Sequence, residues 1–237
     1  MNKLFQITLL AAAQIMTPEA NAAAPAFRDC PDCPEMVVIP AGGFLMDFHD
    51  GNDDGMPIHR VAMKNVFALG QTEVTQGQWK AVMGSNPSSF PDCGDSCPVE
   101  NVSWIDAQEY LQKLNAKTGK QYRLPTGAEW EYACYGGSQT EYCGGNTVDP
   151  LAWTDSNSHA TTHPVGQKQA NGYGLFDMSG NVYEWTSDCH NKDCAEHALR
   201  GGSWGYDPKY ARVTMRESLG PLHHSSCNGI RVARVLP

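Results

Sequence analysis

Gly174-Leu-Phe-Asp-Met-Ser-Gly-Asn-Val-Tyr-Glu-Trp185 is the stretch around which the rest of the chain reads. Two carboxylates, Asp177 and Glu184, stand seven residues apart in it. Gly180 and Asn181 between them favour a sharp turn. Leu175, Phe176, Tyr183 and Trp185 flank that turn with apolar and aromatic bulk. A hard cation such as Ca²⁺ takes about six to eight oxygens, mixing carboxylates with backbone carbonyls. A turn that bends two carboxylates together and exposes a glycine carbonyl offers such a set. The spacing is not that of an EF-hand, and from the residues alone a polar turn between two buried segments is the plainer reading.

Working outward, the chain opens with Lys3, an apolar run over residues 4–16 and a small-x-small site at Ala20, Asn21 and Ala22. That is the pattern of a cleaved secretory leader. The run falls short of the roughly 20 apolar residues that span a bilayer, and no later stretch is long enough. The expected organisation is a signal peptide over 1–22, a cysteine-containing segment over 23–35 and one domain over 36–237, in a periplasmic or secreted protein. Cleavage leaves about 215 residues, enough for one sizeable core. The net charge is −9, from 17 basic and 26 acidic residues. With no basic cluster, that balance argues against nucleic acid and anionic membrane surfaces as partners.

Nine cysteines in an exported chain point to disulfides. Close spacing suggests Cys30 with Cys33, Cys93 with Cys97, Cys134 with Cys143, and Cys189 with Cys194, although connectivity does not follow from sequence. Cys227 is left over. The Cys30–Cys33 pair is flanked by Pro31 and Pro34 and opens no helix, so it reads as a structural bridge rather than a redox motif. No histidine spacing turns the pairs into a zinc site.

Residues 36–44 read as a strand broken by Pro40, and residues 61–67 alternate like a second strand. Residues 49–56 form an acidic, glycine-rich loop. Thr75 caps a helix ending near Met83, with Trp79, Val82 and Met83 on one face. Ser103 caps a second helix, closed by Gly119, with an expected apolar stripe of Ile105, Leu111 and Leu114. Thr126 with Glu129 is a capping box for a third. Residues 136–163 form a long glycine-, serine- and threonine-rich loop. Residues 188–198 read as a cysteine-held loop and 230–235 as a closing strand. These elements predict one α+β, loop-rich domain with short strands and a few short early helices.

Eight segments together resemble the formylglycine-generating enzyme, or sulfatase-modifying factor, family. They are Val38–Gly42, Glu73–Thr75, Pro98–Trp104, Arg123–Thr126 with Glu129–Tyr132, His163–Gly166, Gly174–Trp185, Arg200–Trp204 and Gly229–Arg231. They occur in family order over nearly all of the mature chain. The resemblance implies a C-type-lectin-like domain with bound calcium. It places the ion on the side chains of Asp177 and Glu184 and the carbonyls of Gly180 and Val182. A second calcium site of longer members has no clear match. The resemblance also implies where copper chemistry would sit. Members that make formylglycine bind copper(I) through two cysteines, and soft thiolates are what that ion prefers. Those positions are Tyr206 and Ala211 here, so copper is not expected. Tyr183 replaces a family tryptophan, and Ser203 is retained. His223 and His224 are adjacent, and His159, His163, His190 and His197 are scattered, so no histidine iron site is expected.

Three functions follow as expectations. The first is a calcium-braced periplasmic binding or maturation factor. Its groove would be lined by Trp153, Tyr183, Ser203, Trp204 and Tyr206 and would take an envelope peptide, protein or small molecule. The second is oxidation of a peptide or siderophore without a cysteine/copper centre, using Tyr183, Ser203 and Tyr206, with Arg212 and Arg216 for an anionic substrate. The third is a formylglycine-generating oxidase acting on a sulfatase cysteine.

Overall fold

The computed structural model describes residues 26–46 and 58–236. The leader at 1–22 and the acidic loop at 49–56 therefore lie outside the described residues. Among the described residues short strands pair into three sheets. The largest joins β1 (Ala26–Phe27), β2 (Met36–Ile39), β5 (Phe67–Gly70), β11 (Ala233–Val235) and β6 (Tyr122–Arg123), in that spatial order. β3 (Gly42–Met46) and β4 (His59–Met63) form a separate antiparallel pair. The third sheet runs β10 (Asn228–Gly229), β7 (Tyr183–Cys189), β8 (His197–Arg200) and β9 (Glu217–Leu219).

The strand expected over 61–67 is thus divided. Val61 belongs to the β3–β4 pair and Phe67 to the five-stranded sheet, and Lys64 to Val66 carry the chain between them. The closing strand is shorter than expected, because Ile230 and Val232 give their carbonyls to Val74 and Gly70 outside the ladder. The ends of the cysteine-held loop are themselves strand, with Cys189 opposite His197 across a bulged register.

The helices α1 (Gln76–Met83), α2 (Trp104–Thr118) and α3 (Gly127–Tyr135) start where their caps dictate. Thr75, Ser103 and Thr126 each accept a backbone N–H three residues on, and Gln78, Asp106 and Glu129 reach back to the cap. Each of these caps is worth about 1 kcal/mol. Gly84, Gly119 and Gly136 close the helices in the left-handed region. The apolar face of α2 departs from expectation. Ala107, Tyr110, Leu111 and Leu114 are buried, at three- and four-residue spacing, whereas Ile105 is 46% exposed. Ile105 sits two residues before Ala107, which turns it off that face.

Trp79 of α1 stacks on Tyr110 of α2, with ring centroids 4.9 Å apart. These two helices pack against one core with Trp185 and Ile230, while α3 brings Trp130 to a second core with Leu175, Met178 and Val213. All four expected disulfides are present, and Cys227 is the free thiol. No described helix is long and apolar enough to cross a membrane.

Candidate functional site

The turn between Asp177 and Glu184 is fixed by its backbone. Asp177, Gly180 and Asn181 all have φ between +54° and +80°. At Gly180 an added Cβ would lie 2.4 Å from the Trp153 carbonyl oxygen, so only glycine fits there. Gly180 and Asn181 donate to the carbonyls of Gly201 and Trp153, and Trp204 donates to the carbonyl of Asn181. The turn thereby ties the long loop to the Arg200–Trp204 segment.

Beneath it lie three buried carboxylates and one guanidinium. Glu73 accepts from Val182 N at 3.0 Å and Asn181 Nδ2 at 2.8 Å. Glu184 accepts from Arg231 Nη2 at 2.7 Å and from Trp130 Nε1 at 2.6 Å, and both of its oxygens are engaged. Arg231 also donates to the carbonyls of Gly70 and Phe176. Asp177 accepts from Gly166 N through Oδ2, while its buried Oδ1 has no hydrogen-bond partner. Burial pushes the Asp177 carboxyl up to about 6, against the pull of the Gly166 amide and Arg231. Glu73 is raised well above the usual carboxylate range, first by burial and then by Asp177 and Glu184. Glu73, Trp130 and Arg231 were not singled out as members of this centre. Their signal in sequence is confined to membership of the eight family-like segments, since their partners are remote along the chain.

This geometry bears on an ion at the turn. The open Asp177 oxygen and the excess of carboxylates over cations suit one, whereas Glu184 already spends both oxygens on protein donors. Among the described residues no trio of His, Cys, Asp or Glu side chains is arranged to hold a metal.

The groove residues divide into floor and surface. Tyr206 is 41% exposed, Trp204 is half-buried, and Tyr183 and Ser203 are buried beneath them. Tyr206 meets Tyr183 and Tyr210 edge-on, with centroids at 5.3 and 5.6 Å. Cys227 lies against the same turn, its Sγ 3.5 Å from where a Cβ on Gly205 would stand. Burial, followed by Cys227, raises the Tyr206 hydroxyl pKa. Ala211 is packed against the backbone of Gly202. Trp204 donates to the Ser226 carbonyl and takes the edge of Phe90 at 5.1 Å. Phe90 in turn lines a cavity of about 350 Å³ with Asp92 and Thr162.

Trp153, expected in the groove, has partners of its own. Its backbone braces the turn, but its indole stacks on His163 at 3.7 Å and carries Lys168 at 3.9 Å. Arg212 is paired with Glu141, and Arg216 donates to the Cys189 carbonyl. His197 stacks on Trp104, and His224 bonds to Asp106.

Comparison with known proteins agrees with this architecture. The chain is 30% identical over 257 residues to "Chaperone protein LppX" of Paenibacillus barcinonensis, covering 84% of this chain and 89% of that one. It is 37% identical over 211 residues to the "Formylglycine-generating enzyme" of Thermomonospora curvata, covering 81% of this chain but 65% of the enzyme. The solved structure of PvdO from Pseudomonas aeruginosa matches with a TM-score of 0.78 at 30% identity, covering 92% of this chain and 100% of PvdO. The family profile described as "Sulfatase-modifying factor enzyme 1-like domain" matches residues 21–236. With that match over most of its length, and with a mixed α/β, loop-rich fold to accompany it, the chain belongs to the sulfatase-modifying factor family.

Proposed function

We propose that this chain is an exported binding or maturation factor that recognises a client peptide or protein through the Tyr206–Trp204–Phe90 surface and performs no copper-thiolate oxidation. One observation carries the reading. Eight of the nine cysteines are spent in disulfides, and the ninth, Cys227, has no second thiol beside it. Copper(I) ligation by a thiolate pair has no donors left in such a chain. The exposed phenol of Tyr206, the half-buried indole of Trp204 and the adjoining cavity suit recognition of an apolar segment with polar edges. A relative matched over 89% of its length is called a chaperone protein, which fits binding without redox chemistry. The four disulfides suit folding in an oxidising compartment, in keeping with a leader over 1–22.

Calcium belongs to the same proposal. On this reading Asp177 Oδ1, which has no hydrogen-bond partner, would join the carbonyls of Gly180 and Val182 around the ion, and Glu184 would share an oxygen with Arg231. The ion would supply the positive charge that three buried carboxylates and one guanidinium lack.

A second reading rests on the Tyr183–Tyr206–Tyr210 contacts beside Cys227. It is oxidation of a peptide without a cysteine/copper centre. The test titrates the purified protein with copper(I) under a competing chelator and follows dioxygen uptake with cysteine-containing and cysteine-free peptides. No stoichiometric copper and no uptake, together with client binding weakened by Tyr206→Ala and Trp204→Ala, is the expected result. One copper per chain held by thiolate, with conversion of a sulfatase peptide, would overturn the reading in favour of a formylglycine-generating oxidase. Uptake without copper would favour the second reading.

A further inference from the structure

A second concave site has neither the 177–184 turn nor the Tyr206 surface in its lining. β3, the C-terminal half of α3, the loop that follows it and Tyr173 border an open cleft of about 460 Å³. That volume falls within the roughly 300–1,000 Å³ of small-molecule sites. Four aromatic rings run along it in series: Tyr135, Phe44, Tyr132 and Tyr173. Successive centroids are 5.8, 5.7 and 6.0 Å apart, and the rings are tilted by 40–58° rather than stacked. Phe44, Tyr132 and Tyr135 are each 7% exposed and Tyr173 is half-buried, so Tyr173 offers the most open ring of the series.

The walls are built and held. At Gly42 an added Cβ would lie 2.4 Å from the Tyr132 hydroxyl, so a glycine is what lets that phenol lie across the strand. The Cys134–Cys143 disulfide closes the loop that carries Gln139. Asn171 Nδ2 caps the carbonyls of Ala133 and Cys134 at the end of α3. Such fixed walls lower the ordering cost of taking up a ligand.

The chemistry narrows the ligand. Among the described residues no charged side chain lines the cavity. The polar groups are neutral. Tyr173 donates to the Tyr132 hydroxyl at 3.2 Å, and Gln139 donates to the Leu45 carbonyl, which leaves its amide oxygen as an acceptor. A wholly apolar ligand would strip water from these groups without replacing their hydrogen bonds, at a cost. A sugar ring presents a C–H face to an aromatic ring and hydroxyls at its edge, and so matches both parts of the lining. We propose that this tyrosine-lined cleft is a binding site for the uncharged ring of a saccharide, whether free or part of a glycan.

The test is calorimetric titration of the full chain with the neutral trisaccharides chitotriose, cellotriose and maltotriose. The matching monosaccharides form a separate arm. Saturable binding of at least one trisaccharide is expected, with a Kd at or below about 1 mM. Tyr173→Ala should weaken it about tenfold, or about 1.4 kcal/mol. Gln139→Ala, at an exposed position, carries the test if Tyr173→Ala melts early. Tyr206→Ala should leave the affinity unchanged, which separates this site from the client surface. Tighter binding of the trisaccharide than of its monosaccharide would assign the site to glycan chains, and equal binding would assign it to free sugars. No saturation with any sugar, binding of phenol but not of sugars, or equal affinity in wild type, Tyr173→Ala and Gln139→Ala would overturn the proposal.

Discussion

The buried centre beneath the turn makes a directional prediction: removing its cation should cost more than removing the carboxylate that the cation grips. Arg231 and Glu184 are 0% and 1% exposed. Deleting one member of such a pair costs about 3–5 kcal/mol, because the other charge stays buried and uncompensated. In Arg231→Met, Glu184, Glu73 and Asp177 would share a pocket without a guanidinium. The carbonyls of Gly70 and Phe176 would also lose donors, at about 1–3 kcal/mol for each acceptor left unsatisfied. The total of about 5 kcal/mol or more rivals the ~5–15 kcal/mol stability of a whole domain. Glu184→Gln is milder. Its amide oxygen still accepts from Arg231, and Glu73 and Asp177 still oppose the guanidinium charge. A cost of about 1–3 kcal/mol follows from one weakened charged hydrogen bond and the altered contact to Trp130. At about 2–4 °C per kcal/mol, Glu184→Gln should melt several degrees early and Arg231→Met at least about 10 °C early. Melting followed by near-ultraviolet circular dichroism reads both. Arg231→Lys keeps the charge but loses the fork, and it supplies the comparison if Arg231→Met does not fold. Equal losses in Glu184→Gln and Arg231→Met, or a larger loss in Glu184→Gln, would refute the argument that one guanidinium serves three carboxylates.

Calcium at the turn predicts that wild type melts lower in a chelator, and that Asp177→Ala melts at one temperature with or without it; a wild-type melting point indifferent to both calcium and chelator removes the ion. Ser103→Ala should lose about 1 kcal/mol, and the melting point should fall by about 2–4 °C, with α2 as the first segment to gain hydrogen exchange. Glu100 is buried, and burial raises its carboxyl above the usual range against the hydrogen bonds from Phe90 and Ser89. Its folded-state pKa therefore exceeds its unfolded value, so the stability linked to it is full below the unfolded pKa and is lost as pH rises through the folded one. Wild type should then lose stability relative to Glu100→Gln on going from acid to neutral pH, and urea midpoints that run parallel across that range would contradict it.

Much of this protein was legible where the governing physics is local. A capping box closes over three residues, so Thr75, Ser103 and Thr126 announced their helices. The disulfides join cysteines three to nine residues apart, which is why proximity in sequence predicted them. The eight family-like segments placed the family, and with it the tyrosine and alanine where thiolates would be needed. Periodicity was weaker evidence. It put Ile105 on the buried face of α2, a face that the packing against α1 gives to Ala107 and Tyr110 instead.

What only the tertiary structure decided are the pairings across long stretches of chain. Glu73 meets Val182 across 109 residues, Trp130 meets Glu184 across 54, and Arg231 meets Glu184 across 47. Glu184, which the family resemblance names as a calcium ligand, is also gripped by a guanidinium and an indole from distant segments. The tyrosine cleft depends in the same way on β3, α3 and Tyr173 arriving together. Hydrophobic pattern and turn chemistry specify which residues go inside. They leave unspecified which charge will find which, because that depends on how distant elements pack and on which oxygen ends up buried without a donor.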